Sequence, residues 1–436
     1  MESANAKRKF LGIDMPEEIS KWNFCTIFFL SFSALLIVAI MTVIRPIFLE
    51  EVLSITKREV GRVNGFLAAI GATISILLGG LIGAFSDRIG RKNIIISGYL
   101  ISSVFISIFG FSKAIGVFFN LPPLAIASLA TAAISIGGIS HMITTSILLA
   151  DYTNITSRGK AFAISGIFSS IGTFTSHLGV SQLPKYMDVE YVYLLSSGIA
   201  LATMFLAMLG LKEIVKIKGE RKKINWKAVF ESLKNSPGLR LCYAGAFVGK
   251  VDNAILATFT MVWVVMAASD FGLTRAQATA HGGITLAIFS LIGIVTKPFW
   301  GIVADRWGRM PALSLSLFCG GLGYFIVGLS INNPFSLAMR LAIALCGFGA
   351  AGDGIATSSL TVDLAPKKNL GAIMGGASVM TALAMVLLIP LGGFLFDLGG
   401  RSSPFILIGI ADWLVLSFAF LVWKKVPKHR LEPVVD

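Results

Sequence analysis

Gly83-Ala84-Phe85-Ser86-Asp87-Arg88-Ile89-Gly90-Arg91-Lys92 recurs as Gly301-Ile302-Val303-Ala304-Asp305-Arg306-Trp307-Gly308-Arg309-Met310, at a constant offset of 218 residues. A second pair of stretches keeps an offset of 212. It sets Ile136-Gly137-Gly138-Ile139-Ser140-His141, running on to Asp151 and Gly159, beside Phe348-Gly349-Ala350-Ala351-Gly352-Asp353, running on to Asp363 and Gly371. Two signatures repeated in the same order at nearly the same distance make the chain an internal duplication. In each copy the Asp-Arg-x-Gly-Arg motif lies between two long apolar stretches, so the repeated unit is a set of apolar segments joined by short charged loops.

Composition agrees with this reading. Of 436 residues, 55% are apolar and 14% are charged, against about 45–50% and about 25% in soluble domains. A helix that crosses a bilayer needs about 20 predominantly apolar residues. Stretches of that kind fall at 23–47, 63–85, 94–111, 121–150, 161–183, 191–211, 239–267, 279–303, 311–331, 334–362, 371–396 and 404–423. Several exceed 20 residues without the alternation of a barrel strand. The expected fold is therefore an all-α membrane protein of twelve transmembrane helices, arranged as two pseudo-symmetric six-helix bundles.

The organisation expected is a cytoplasmic N-terminus at 1–22, a first half at 23–211, a linker at 212–238, a second half at 239–423 and a cytoplasmic tail at 424–436. With both termini inside, cytoplasmic segments, counted with Arg240 at the cytoplasmic edge of the seventh span, hold 26 of the 37 basic residues, as the positive-inside rule requires. The net charge of +14 is thus a signature of topology, and nucleic acid is not an expected partner. No small-residue cleavage site follows the first apolar run, which argues against a removable signal peptide. In the basic linker, Asn225 is a candidate N-cap, and Trp226, Val229, Phe230 and Leu233 form one apolar stripe, the pattern of an interfacial helix. Cys25, Cys242, Cys319 and Cys346 stand singly in apolar stretches, without metal-ligand spacing, and read as small core residues. No metal or cofactor is expected.

The two loop motifs and the basic linker between the sixth and seventh spans resemble the major facilitator superfamily of secondary transporters. The resemblance covers the whole chain and implies two six-helix halves around a central cavity that opens alternately to either side, with spans 1, 4, 7 and 10 lining it. It implies that Gly83, Asp87, Arg88, Gly90, Arg91 and Lys92 form a latch on the cytoplasmic side. Gly301, Asp305, Arg306, Gly308 and Arg309 would form a second copy, in which Met310 replaces the last basic residue. Asp151 with Arg158 and Gly159 resembles the family's loop after span 4; its second copy has Leu370 in place of Arg158. The same charges also serve as orientation anchors.

Charges within spans are the candidate functional groups, since each costs about 2.5–3.5 kcal/mol at the bilayer centre on insertion scales. At 1.5 Å per residue, Lys250 and Asp252 lie roughly 16–20 Å into the seventh span. His141 and Asp353 are repeat-equivalent, each ten residues before the loop aspartate of its span. An imidazole and a carboxylate at such positions suit a coupling proton, so His141, Asp252 and Asp353 are its candidate carriers. Pairing with neighbouring helices is the alternative duty for Lys250 and Asp252. Lys297, in Lys-Pro-Phe-Trp-Gly, is similar to a basic residue of the monocarboxylate and oxalate:formate branches of the superfamily, where it holds an anion. Arg45 and Arg340 are expected near the outer rim as interface residues, and His177 and Gln182 are secondary candidates. Four basic side chains on or near cavity helices, Arg45, Lys250, Lys297 and Arg340, favour an anionic solute.

The expected function is secondary active transport of a small organic, anionic solute, driven by protons, by a monomer in a bacterial inner membrane. One alternative is proton-driven efflux of drugs or hydrophobic metabolites, against which span 5 lacks the G-P-x-x-G-G run that resembles drug-proton antiporters. Another is a receptor or scaffold that does not transport. No G-x-x-x-x-G-K-[ST] loop is present to bind a nucleotide, and no nucleophile and base are assembled, so an enzyme is not expected.

Overall fold

The computed structural model describes residues 9–213, 226–249, 251–366 and 370–426. Its helices are α1 (Lys21–Glu51), α2 (Val60–Ile89), α3 (Arg91–Gly110), α4 (Ser112–Phe119), α5 (Pro123–Asp151), α6 (Ile155–Leu178) and α7 (Val189–Gly210). They continue as α8 (Trp226–Asn235), α9 (Pro237–Val248), α10 (Val251–Ala267), α11 (Arg275–Arg306), α12 (Arg309–Ser330), α13 (Leu337–Leu364), α14 (Leu370–Gly399) and α15 (Ser403–Val422). Ahead of them, β1 (Lys9–Phe10) and β2 (Ile13–Asp14) form a hairpin whose turn residues, Leu11 and Gly12, both have positive φ.

Among the described residues, 11 helical segments are long and apolar enough to cross a membrane, with α9 and α10 counted together. The twelfth span is α6, whose Ser165, Ser169, Ser170, Thr173, Thr175 and Ser176 lower its hydropathy. Several of those hydroxyls find partners within reach: Ser170 Oγ donates to the Gly166 carbonyl at 2.9 Å and Ser169 Oγ to the Ser31 carbonyl at 3.2 Å. The architecture is all-α, with twelve membrane helices in two six-helix bundles.

The chain divides into two compact units: 1–55, 70–220 and 273–283 form the first, and 56–69, 221–272 and 284–436 the second. The start of α2 therefore groups with the second unit and the start of α11 with the first. Small residues explain both assignments. Gly61 and Gly65 have no side chain to keep α2 off α14, where Asp397 accepts the N–H groups of Gly61 (3.2 Å) and Arg62 (2.9 Å). Gly283 of α11 lies against Ser181 and the His177 carbonyl, and the Gln182 amide donates to the Ala280 carbonyl at 3.3 Å.

The duplication also sets the packing inside each unit. In the first, a Cβ on Gly137 of α5 would meet the Gly98 carbonyl of α3 at 2.6 Å. In the second, a Cβ on Gly349 of α13 would meet the Ser316 carbonyl of α12 at 2.8 Å. These are the same contacts displaced by the two repeat offsets. Backbones this close gain dispersion and polar contact that bulkier side chains would deny them.

Candidate functional site

The loop motifs are built alike. Gly90 between α2 and α3, and Gly308 between α11 and α12, both have φ of 99° with extended ψ. Only glycine adopts that backbone at little cost, which accounts for the residue at both places. The following arginine reaches the aspartate at the far end of the fourth span of its own unit: Arg91 pairs with Asp151, and Arg309 Nε donates to Asp363 Oδ2 at 3.2 Å while its Nη1 pairs with Asp305. Arg158 donates to the Ala150 carbonyl at 3.1 Å. The pairs the structure describes thus brace helix ends within each unit. Gly83 lends its carbonyl to Ser86 Oγ at 2.7 Å, whereas a Cβ on Gly301 would meet no atom. Arg88 and Arg306 are exposed. The side chain of Asp87 lies outside the described residues.

Two partners in this region are not apparent from the motif. Glu213 accepts the Lys92 N–H at 2.8 Å and so caps the start of α3. The Tyr152 hydroxyl donates to the Lys212 carbonyl at 2.6 Å and accepts the Lys212 N–H at 2.8 Å. Burial pushes that hydroxyl up to about 12, against the lowering effect of the Lys212 hydrogen bond and with a smaller push from the Glu213 carboxylate, so it remains a donor at neutral pH.

In the second unit the seventh span is interrupted. It runs as α9 to Val248 and turns at Gly249, where α9 ends, and the described residues resume as α10 from Val251. A Cβ at Gly249 would collide with Asp353 Oδ2, so the break and the carboxylate are made for each other. Asp353 is 4% exposed and accepts Thr357 Oγ1 at 2.8 Å. Asp252, 3% exposed, lies in the first turn of α10 and accepts the Asn253 N–H. A third acid, Asp412 of α15, is also 3% exposed; its Oδ2 would lie 3.3 Å from a Cβ on Gly320 of α12. Each of these aspartates is within electrostatic reach of another, and the buried Tyr324 hydroxyl, which lacks a hydrogen-bond partner among the described residues, faces the same cluster. Sequence reasoning missed Asp412, although a lone acid in the last span was the signal for it. Lys250 lies outside the described residues.

The first unit holds its candidate differently. His141 of α5 is 1% exposed and stacks on Tyr99 of α3, with ring centroids 4.1 Å apart and planes 9° from parallel. The Tyr99 hydroxyl in turn donates to the Leu30 carbonyl of α1 at 2.9 Å. Arg45, expected as an interface residue at the rim, is instead buried within the unit, near Tyr193 of α7. Pro46, next to it, leaves α1 unbroken. Arg340 is half-buried on α13 and Lys297 is exposed on α11. The described basic residues are thus divided between the units, Arg45 in one and Lys297 and Arg340 in the other. Of the cysteines, Cys242 and Cys346 are buried, whereas Cys25 is exposed. Among the described residues, no three His, Cys, Asp or Glu side chains come together as a metal site.

The linker helix is present as α8, with Phe230 exposed and Leu233 packed beside Leu239, Tyr243 and Ile373. Its candidate cap Asn225, and the side chains of Trp226 and Val229, lie outside the described residues.

A family model described as Major Facilitator Superfamily matches residues 27–262 and 253–435. Magnetosome protein MamH of Paramagnetospirillum magneticum is 26% identical over 399 residues, covering 92% of each chain. Multidrug resistance protein 2 of Bacillus subtilis is 25% identical over 84% of this chain and 87% of its own. Among solved structures, the nucleoside transporter NupG superposes with a TM-score of 0.73 at 12% identity, covering 92% of this chain and 99% of that one; at that identity the likeness concerns the fold alone.

Proposed function

The chain belongs to the major facilitator superfamily, and from that premise we propose that it is a proton-coupled secondary transporter of a small organic anion, working by alternating access. It is a multi-pass integral membrane protein that acts on a small-molecule substrate and is not an enzyme. The observation that carries the coupling proposal is the convergence of Asp353 and Asp252 on the break in the seventh span. A charged carboxylate is costly at that depth, and neighbouring carboxylates resist ionising together, so binding a proton relieves both penalties. Asp353 and Asp252 carry the proton in this reading, and Asp412 belongs to the same electrostatic unit. The start of a half-helix such as α10 favours an anion. Lys297 and Arg340 add positive charge to the same unit. The monomer works in a bacterial cytoplasmic membrane with both termini in the cytoplasm.

A second reading, efflux of lipophilic compounds, has support in the likeness to Multidrug resistance protein 2. Proteoliposomes with an imposed pH gradient separate the two. Accumulation of labelled organic acids is expected; expulsion of a lipophilic cation without movement of any acid would replace the anion reading with the efflux one.

A further inference from the structure

At the end of the first unit away from the loop motif, a crevice of about 870 Å³ lies between α4 and the start of α7. It is lined by three carboxylates, Glu51, Asp188 and Glu190, and one ammonium, Lys113, and Glu51 is already paired with Arg275 Nη1 at 4.0 Å. Its buried lining is apolar, formed by Val52, Gly110 and Val189, and Ala114, Val117, Phe118 and Met187 are exposed along its sides. A second groove, of about 540 Å³, shares Met187 and Tyr191 with it and continues along α7 past Leu194, Leu195 and Gly198 to Ala202. That stripe is the opposite face of α7 from Val192, Ser196, Ala200 and Thr203, which are buried within the unit. From the start of α7 at Val189 to Ala202 the helix beside the groove descends about 20 Å at 1.5 Å per residue, more than the roughly 15 Å that one leaflet contributes to the hydrocarbon core.

We propose that this paired crevice and groove bind a phospholipid with a primary-ammonium headgroup, such as phosphatidylethanolamine. The groove takes one acyl chain, and Gly198, which has open space where a side chain would be, provides the notch for it. The mouth takes the headgroup: its ammonium meets the carboxylates of Asp188 and Glu190, and its phosphate meets Lys113. The three carboxylates against Lys113 and Arg275 leave a net charge of −1 at the mouth, which disfavours an anionic lipid, and a quaternary ammonium has no N–H to donate to these carboxylates. The exposed aromatic rings of Phe118, Phe119, Tyr186 and Tyr191 around the opening place it at the level of the membrane interface.

The full-length protein, delipidated in detergent, is titrated with phosphatidylethanolamine, phosphatidylcholine and phosphatidylglycerol of the same chain length, and bound lipid is counted by native mass spectrometry. The expected result is a preference for phosphatidylethanolamine over phosphatidylglycerol of about three- to fivefold, the size that a few exposed ion pairs supply. Gly198→Trp should reduce retention of all three lipids, and the double variant Asp188→Asn, Glu190→Gln should equalise them. Melting curves of the lipid-free variants that match the parent establish folding. Equal retention of the three lipids by the unmodified protein, or an unchanged preference in both folded variants, overturns the proposal.

Discussion

The two halves share a loop and differ inside. Gly90 and Gly308 have the same backbone, and Arg91 and Arg309 reach the equivalent aspartates, Asp151 and Asp363. Yet the first span of one half is the unbroken α1, while its counterpart in the other is split between α9 and α10. At the repeat-equivalent position of the fourth spans, one half stacks His141 on Tyr99 and the other buries Asp353 against Gly249. Duplication has therefore kept what holds helix ends together and diversified what occupies the bundle interior. The loop belongs to the architecture, and function is to be sought where the copies diverge.

The largest effect that would sharpen this contrast is expected from Gly249→Val. A Cβ there collides with Asp353, and overpacking of this kind typically costs about 1–3 kcal/mol. Transport should be lost while some folded protein remains. Uptake equal to that of the parent would detach the break in the seventh span from function.

Next come Gly90→Ala and Gly308→Ala, each of which forces a non-glycine residue to φ near 99° at about 1–3 kcal/mol. The two should lower the melting temperature by similar amounts, because the loops are equivalent. A large loss in one copy and none in the other would break the claim that both loops serve the architecture equally.

The smallest effect is expected from His141→Phe, which keeps an aromatic ring on Tyr99 and removes a titratable group. Gradient-driven uptake should stay within about twofold of the parent, a change of under about 0.5 kcal/mol. Loss of coupling with folding intact would move proton duty into the first half.

Much of the fold was legible because membrane helices announce themselves by apolar length and the duplication by exact spacing. The tenth-residue positions of His141 and Asp353 were equally legible, being a matter of counting. What the pattern could not disclose were features set by partners distant in the chain. Gly249 reads as one of many glycines in the spans until Asp353 is seen to occupy the place of its side chain. Asp412 is a lone acid in the last span until Gly320 and Tyr324 are brought beside it. Arg45 resembles a rim residue by its position near the end of α1, but it is buried near Tyr193 of α7. The helix α4 is hidden in eight residues too few to register as an apolar span. In each case the deciding contact is between helices, and helix packing is not written in local periodicity.

The central claim is that the coupling proton resides on the carboxylates of the second half. It is tested most directly by Asp353→Asn in proteoliposomes, comparing accumulation driven by a pH gradient with counterflow exchange at equal pH. Asparagine fills the same space and cannot release a proton, so accumulation should be abolished while exchange persists. Accumulation at the parent's level would contradict the claim and remove Asp353 from the coupling mechanism.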